Sequence, residues 1–401
     1  MAISIKTLRG ITRLTFDSVS GVMTTVERMH EVIARRPLPW SPPPDGPTRA
    51  HGLIARSVYS VMRGVTGVVQ QGVDLSLGLV PDSATETPLS RGEVRWLAAL
   101  NGVCGDHLEA TSNPLAMPMV FTDSVRPAGT GRENLVAAFP GASPHLVVFV
   151  HGLCLSDFSW RRDGSAALGD RLAEELEVTS VYLRYNTGRH ISANGRELAE
   201  RLDDLVNAWP VAVESLALIG HSMGGLVIRS ACHYAVEAGR PWLDKLTRIA
   251  CLGTPHHGAA LEKAGGLLDR SMRAIQYVEP LTIARRRSAG IRDLRHGNLL
   301  DEDWAHPDEM SSDDRRTAVP LLEDVEYFFV AASVGRDDLD PKGHMLGDFL
   351  VRTVSATGAH RDGFRQLPVP PENYRVFHEM NHFDLLSDAR VHSQVVDWFA
   401  T

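Results

Sequence analysis

Hydrophobic positions along the chain follow two different periods, and the change between them divides it. Up to about Thr122, apolar residues recur at steps of three and four. Val19, Val22, Val26, Met29 and Ile33 form one such set, and Ile54, Val58, Val61, Val65 and Val68 a second. Within residues 91–108 a third set, Val94, Leu97, Leu100 and Cys104, stays in phase. This spacing lays an apolar stripe along one face of a helix. The proline-rich stretch 37–47 separates the first two stripes. Residues 1–122 therefore read as an N-terminal helical extension. Packing on the rest of the protein is the simplest use of its stripes; contact with a lipid surface or a second copy in a homodimer is the alternative. Gly64, Gly67 and Gly72 would let helices approach closely in either case.

From Met117 the period shortens. Residues 117–121, 146–150, 181–185, 216–219, 249–253 and 325–332 read as strands, with 171–177, 196–209 and 226–238 as helices between them. Leu146, Val147, Val148, Phe149 and Val150 form an unbroken apolar run, the mark of a strand buried on both faces of a parallel sheet. Alternation of this kind predicts an α/β class with a mostly parallel sheet covered on both sides. It stops between residues 259 and 320, where a helical stretch (261–278) and a polar, acidic stretch (301–316) form an insertion. No internal repeat is visible.

Composition narrows the function classes. The chain has 401 residues, 43% of them hydrophobic, enough for a large core. A net charge of −8 argues against nucleic acid as a partner, since that role needs concentrated basic surface. The run Arg285-Arg286-Arg287 reads as solvated surface. Four cysteines, at 104, 154, 232 and 251, make no Cys-x-x-Cys pair, so neither a metal site nor a redox motif is suggested. Cys232 and Cys251 fall in core elements. The N-terminal residues lack a continuous apolar signal segment, and no run is long enough to span a bilayer. The expectation is a cytoplasmic protein, with peripheral membrane contact left open.

Chemistry concentrates at Gly220-His221-Ser222-Met223-Gly224-Gly225. A hydrophobic run precedes this Gly-x-Ser-x-Gly motif and a helical pattern follows it, the strand, turn and helix of a nucleophile elbow. A serine hydroxyl is a weak nucleophile and needs a base within hydrogen-bond reach, oriented by a carboxylate. In folds built on this elbow the acid and then the base follow the serine in sequence. His378 and His382, between a short strand-like run and a helix at 391–399, are the candidate bases. Asp337, Asp338, Asp340 and Asp348, after the strand at 325–332, are the candidate acids. The Asp338-x-Asp340 pair lacks the other ligands of a calcium loop and reads as solvated. Two backbone amides should receive the developing oxyanion. Met223 supplies one, directly after the serine; Leu153, in His151-Gly152-Leu153 after a buried strand, supplies the other. His151, Gly152 and His221 are candidates to shape a substrate pocket. His256 and His257, in Gly253-Thr254-Pro255-His256-His257-Gly258, are further pocket candidates; with no carboxylate or cysteine at ligand spacing, they do not read as a metal site.

These motifs together resemble the α/β-hydrolases of the bacterial lipase and esterase type. The resemblance rests on Val148-Phe149-Val150-His151-Gly152-Leu153, the elbow, Gly253-Thr254-Pro255-His256, Gly347-Asp348 and Asn381-His382, and it covers roughly residues 115–401. Gly-His-Ser-Met-Gly-Gly is shared with inositol-deacylase-like lipases and with many triacylglycerol lipases, so it does not select a substrate. The resemblance implies an α/β-hydrolase catalytic domain over 123–401, with the insertion as a cap or lid. It favours Asp348 as acid, although Phe349 stands where many lipases carry a second glycine, and His382 as base. It implies a Ser222–His382–Asp348 triad that hydrolyses moderately apolar esters through an acyl-enzyme, with no cofactor. Acyl transfer or thioester hydrolysis on the same triad is the rival within this chemistry. An inactive lipid- or protein-binding module is the rival outside it.

Overall fold

Seven strands and the helices between them carry the chemistry-bearing segments. A computed structural model of the protein describes residues 7, 9–17, 89–161, 167–259, 288–305 and 316–400. The stripes read at 19–33 and 54–68 and the helical stretch at 261–278 lie outside the described residues, as does most of the acidic stretch at 301–316.

The chain divides into two compact units. One comprises Met1–Pro88, His107–Ala116 and Ile275–Arg286; the other comprises Leu89–Asp106, Met117–Ala274 and Arg287–Thr401. In the first, residues 9–17 are helical and the Asn113 side chain donates to the Gly10 carbonyl at 3.1 Å. The second holds the sheet and is described below.

Its elements run in order: α1 (Arg91–Ala110, belonging to this unit as far as Asp106), β1 (Val120–Thr122), β2 (His145–Val150), α2 (Leu168–Leu176), β3 (Thr179–Arg184), α3 (Ile191–Ala208), β4 (Ser215–His221), α4 (Met223–Glu237), β5 (Leu246–Leu252), α5 (Ala289–His296), β6 (Glu326–Ser333), α6 (Pro341–Leu346), β7 (Tyr374–His378) and α7 (Ala389–Ala400). The sheet order is β1-β3-β2-β4-β5-β6-β7. All neighbours pair parallel except β1, which runs antiparallel to β3 from Val120 opposite Arg184. Parallel pairing forces each return of the chain through a crossover, which is why helices cover both faces.

Alternate residues of each strand feed two cores. Leu146, Val148 and Val150 of β2, with Leu216 and Leu218 of β4, pack against Leu198, Leu202 and Leu205 of α3 and Leu226, Val227 and Ala231 of α4. Val147 and Phe149, with Ala217 and Ile219, face the other way onto Leu168 and Leu172 of α2 and Val391, Val395 and Trp398 of α7. A one-residue slip in any strand would exchange these faces, so the register is strongly fixed. All four cysteines are free and buried. Among the described residues no helix is long and apolar enough to cross a membrane.

The strand order, the parallel crossovers and the sharp turn between β4 and α4 make this an α/β-hydrolase fold. They place the ends of β2, β4, β5, β6 and β7 along one edge of the sheet, where ligands of open parallel sheets bind.

Candidate active site

Ser222 sits between β4 and α4 with φ 54° and ψ −121°. A non-glycine residue adopts this left-handed region only under strain, and strain persists where the surroundings enforce it. Here the enforcement is visible. The Ser222 amide donates to the Leu252 carbonyl at 2.8 Å, tying the turn to β5. A Cβ on Gly220 would lie 2.5 Å from the Gly225 nitrogen, and one on Gly224 would lie 2.1 Å from the Val150 carbonyl oxygen. Gly224 is thus required by the close approach of the elbow to β2, and Gly220 by the close packing of the end of β4 on the start of α4.

His382 follows β7 in the loop leading to α7. Its Nδ1 lies 2.6 Å from Asp348 Oδ2, and both side chains are 1% exposed. A second contact fixes the loops: the His382 amide donates to the Asp348 carbonyl at 3.2 Å. Asp348 Oδ1 accepts from the amides of Leu350 and Val351, at 2.9 and 2.7 Å. The carboxylate is held on both sides. His382 Nε2 is buried and makes no hydrogen bond among the described residues.

The competing pair has a different setting. His378 Nε2 lies 3.2 Å from Asp338 Oδ1, but Asp338 is 85% exposed, and neither residue lines the cavity described below. Asp340 caps α6 by accepting from the Lys342 amide and also accepts from the Arg336 amide, and Asp337 accepts from the Leu339 amide. The backbone donors hold the Asp340 carboxyl below its ordinary range.

Ser222 and His382 line one cavity with Gly152, Leu153, Leu155, His221, Ala259, Leu294, Leu350, Val351 and Phe383. Most of this wall is apolar. Leu350 and Val351 directly follow Asp348, and Phe383 directly follows His382, so the segments carrying the dyad also build the wall. Leu155 and Leu294 carry no such sequence signal. The amides of Leu153 and Met223, read as oxyanion donors, have no hydrogen-bond partner among the described residues.

The histidines read as pocket candidates divide. His221 lines the cavity, and its Nε2 lies 3.2 Å from the His382 carbonyl oxygen. His151, His256 and His257 do not line it. His151 is buried against Tyr185, ring centroids 4.5 Å apart, with Nδ1 3.0 Å from the Gly152 carbonyl. Burial pushes its pKa down to about 4. The Tyr185 hydroxyl donates to the His151 carbonyl at 2.8 Å, so the ring and the strand end brace the loop together. His256 packs on Phe329 at 4.3 Å, and burial, reinforced by the nearby Arg229, holds it well below its ordinary pKa. His257 is drawn to the Gly358 carbonyl, with Nε2 at 3.1 Å, and is lowered to about 4, chiefly by burial. The His257 ring thus ties the segment after β5 to the chain beyond Asp348, where a neutral imidazole bonds without burying a charge, while the His256 ring rests on β6.

Residues 142–320 match the model of the PGAP1-like alpha/beta domain family. No curated protein matches the chain in sequence. Among solved structures, the mature form of the Bacillus licheniformis lipase BlEst2 is 16% identical, with a TM-score of 0.42, covering 71% of this chain and 99% of that one. The propeptide form of the same lipase is 18% identical, with a TM-score of 0.40, covering 70% of this chain and 54% of that one. An arylesterase is 15% identical, with a TM-score of 0.35, covering 65% of this chain and 74% of that one.

Proposed function

We propose that this protein is a serine hydrolase that cleaves carboxylic esters of uncharged, moderately apolar acyl groups through an acyl-enzyme on Ser222. The observation that carries the reading is the buried 2.6 Å contact between His382 Nδ1 and Asp348 Oδ2, on loops that line the same cavity as the strained Ser222. With Asp348 accepting at Nδ1, the imidazole keeps its proton there and leaves Nε2 as the base. His382 takes the Ser222 proton as Oγ attacks the ester carbonyl. The oxyanion rests on the amides of Met223 and Leu153, each contributing about 3 kcal/mol of transition-state stabilisation. His382 then protonates the departing alcohol. Water, deprotonated by the same nitrogen, attacks the acyl-enzyme and releases the acid, returning the proton to Ser222.

The cavity supports the substrate class. Leu153, Leu155, Leu294, Leu350, Val351 and Phe383 offer an acyl chain an apolar wall and offer an acyl carboxylate no cation. The test is an ester panel of increasing acyl length on wild type and Ser222→Ala, with fluorophosphonate labelling. Wild type should turn over and take the label; the alanine variant should do neither. Wild-type turnover by the alanine variant would sink the reading. Running the panel with added alcohols separates hydrolysis from acyl transfer, because a transferase forms the new ester in place of the free acid.

A further inference from the structure

We infer that Cys154, held between α1 and Thr187, is a positioning residue that sets the Leu153 amide for the oxyanion. The inference rests on the hydrolase reading above and concerns how its second donor is aimed.

The loop after β2 carries Leu153 and then Cys154, whose φ is 60°, a left-handed conformation that glycine would adopt without strain. The chain keeps a side chain there, and that side chain is buried. Two contacts hold the residue. Its amide donates to Thr187 Oγ1 at 3.1 Å. Its Sγ lies 3.9 Å from the Ala99 carbonyl of α1. On α1, Gly102 leaves the space that Cys154 fills: a Cβ there would lie 2.2 Å from Sγ, and 3.0 Å from both the Cα and the nitrogen of Cys154. The backbone of the loop itself rests on the helix.

The loop bearing Thr187 is seated on the same helix. A Cβ on Gly188 would lie 2.1 Å from the Asn101 carbonyl, and Asn186 Nδ2 donates to the Gly105 carbonyl at 2.9 Å. One helix face therefore fixes both sides of Cys154. The peptide plane between Leu153 and Cys154 is fixed at its far end, and the Leu153 amide sits one residue before it. Burial pushes the Cys154 thiol up to about 12, so it stays neutral and acts by shape.

The experiment separates positioning from packing. Thr187→Val keeps the shape and removes the acceptor; Thr187→Ser keeps the acceptor. Thr187→Val should lower kcat about tenfold with KM within about twofold, and slow fluorophosphonate capture of Ser222 in parallel, because an oxyanion donor acts in the transition state. Thr187→Ser should stay within about threefold of wild type on both. Gly102→Ala should lower kcat similarly, and the double variant Gly102→Ala/Cys154→Gly should recover most of it, since glycine tolerates the left-handed φ and removes Sγ. If Gly102→Ala fails to fold, the two Thr187 variants decide. Wild-type kcat and labelling rate in folded Thr187→Val would overturn the positioning role while leaving the hydrolase reading intact. A wild-type protein that neither hydrolyses esters nor labels at Ser222 would overturn the hydrolase reading, and this inference with it.

Discussion

Asp348 divides its two oxygens between different tasks. Oδ1 receives two backbone amides and Oδ2 faces His382 Nδ1. Asp348→Asn should preserve the first and invert the second. The amide oxygen would stay with the Leu350 and Val351 donors, turning the NH₂ toward the imidazole. His382 Nδ1 would then have to accept, the ring proton would move to Nε2, and the base would be lost. The expected result is a fall in kcat of about 10³–10⁴ with little change in thermal stability, read by ester turnover beside circular dichroism. A variant that kept full turnover would remove Asp348 from the mechanism. The next residue carries a separate consequence. Phe349 holds φ at 79° with its side chain 39% exposed. It replaces the second glycine of the lipase-like segment, and its left-handed backbone is what a glycine would adopt freely. Phe349→Gly should lower stability by about 1 kcal/mol, because the partly buried ring and the added freedom of the unfolded chain together outweigh the relief of the left-handed conformation. Chemical denaturation reads this directly; a gain in stability would mean that the strain costs more than the ring's contacts return.

At the scale of elements, the edge of the sheet is locked by charge. Arg184 at the end of β3 meets Asp157, in the short 3₁₀ turn beyond the loop after β2, through Nε at 2.7 Å and Nη2 at 2.8 Å. Thr122 Oγ1 of β1 donates to the same carboxylate at 3.1 Å. Both charged side chains are shielded from water, so their pairing matters more than that of a surface bridge. Arg184→Ala leaves a buried carboxylate without its cation and should lower unfolding free energy by about 3–5 kcal/mol; a loss below about 1 kcal/mol would show that water reaches Asp157. This clamp joins residues far apart in the chain, and that is why no sequence pattern announced it. The strands and the helix phases were legible because each is a local period: 146–150 became β2, 216–219 the centre of β4, and Val94, Leu97, Leu100 and Cys104 the buried face of α1. Boundaries set by tertiary bonds were not. The helix read from 196 begins at Ile191, whose amide donates to the Asp293 carboxylate of α5 at 3.0 Å. Among Asp337, Asp338, Asp340 and Asp348, position after β6 pointed to none, and only the Gly347-Asp348 resemblance favoured Asp348. All four follow β6, and burial against His382 distinguishes one of them.

At the scale of the whole molecule, several imidazoles are buried as neutral groups, and this gives the fold a dependence on pH separate from catalysis. His151 and His257 are lowered to about 4 and His256 falls well below its ordinary value, with burial the largest cause in each. In the unfolded chain each would titrate near 6.5. Between those values the unfolded state binds protons that the folded state refuses, so stability rises with pH across that window. The stabilisation is fully present above about 6.5 and is lost as pH falls toward 4. A drop from 6.5 to about 4 corresponds to about 3 kcal/mol for the fully buried His151, less for the partly exposed His257. Urea unfolding measured from pH 7.5 down to 4 should therefore show a steady loss of stability of several kcal/mol. His151→Gln, which cannot take up a proton, should start less stable and show a shallower slope over the same range. The slope, and not the starting stability, is the decisive reading, since replacing a packed ring weakens the loop whatever its charge. A wild-type profile flat between 6.5 and 4 would mean that these rings protonate as readily folded as unfolded. The loop after β2, where His151 lies buried, would then be open to water.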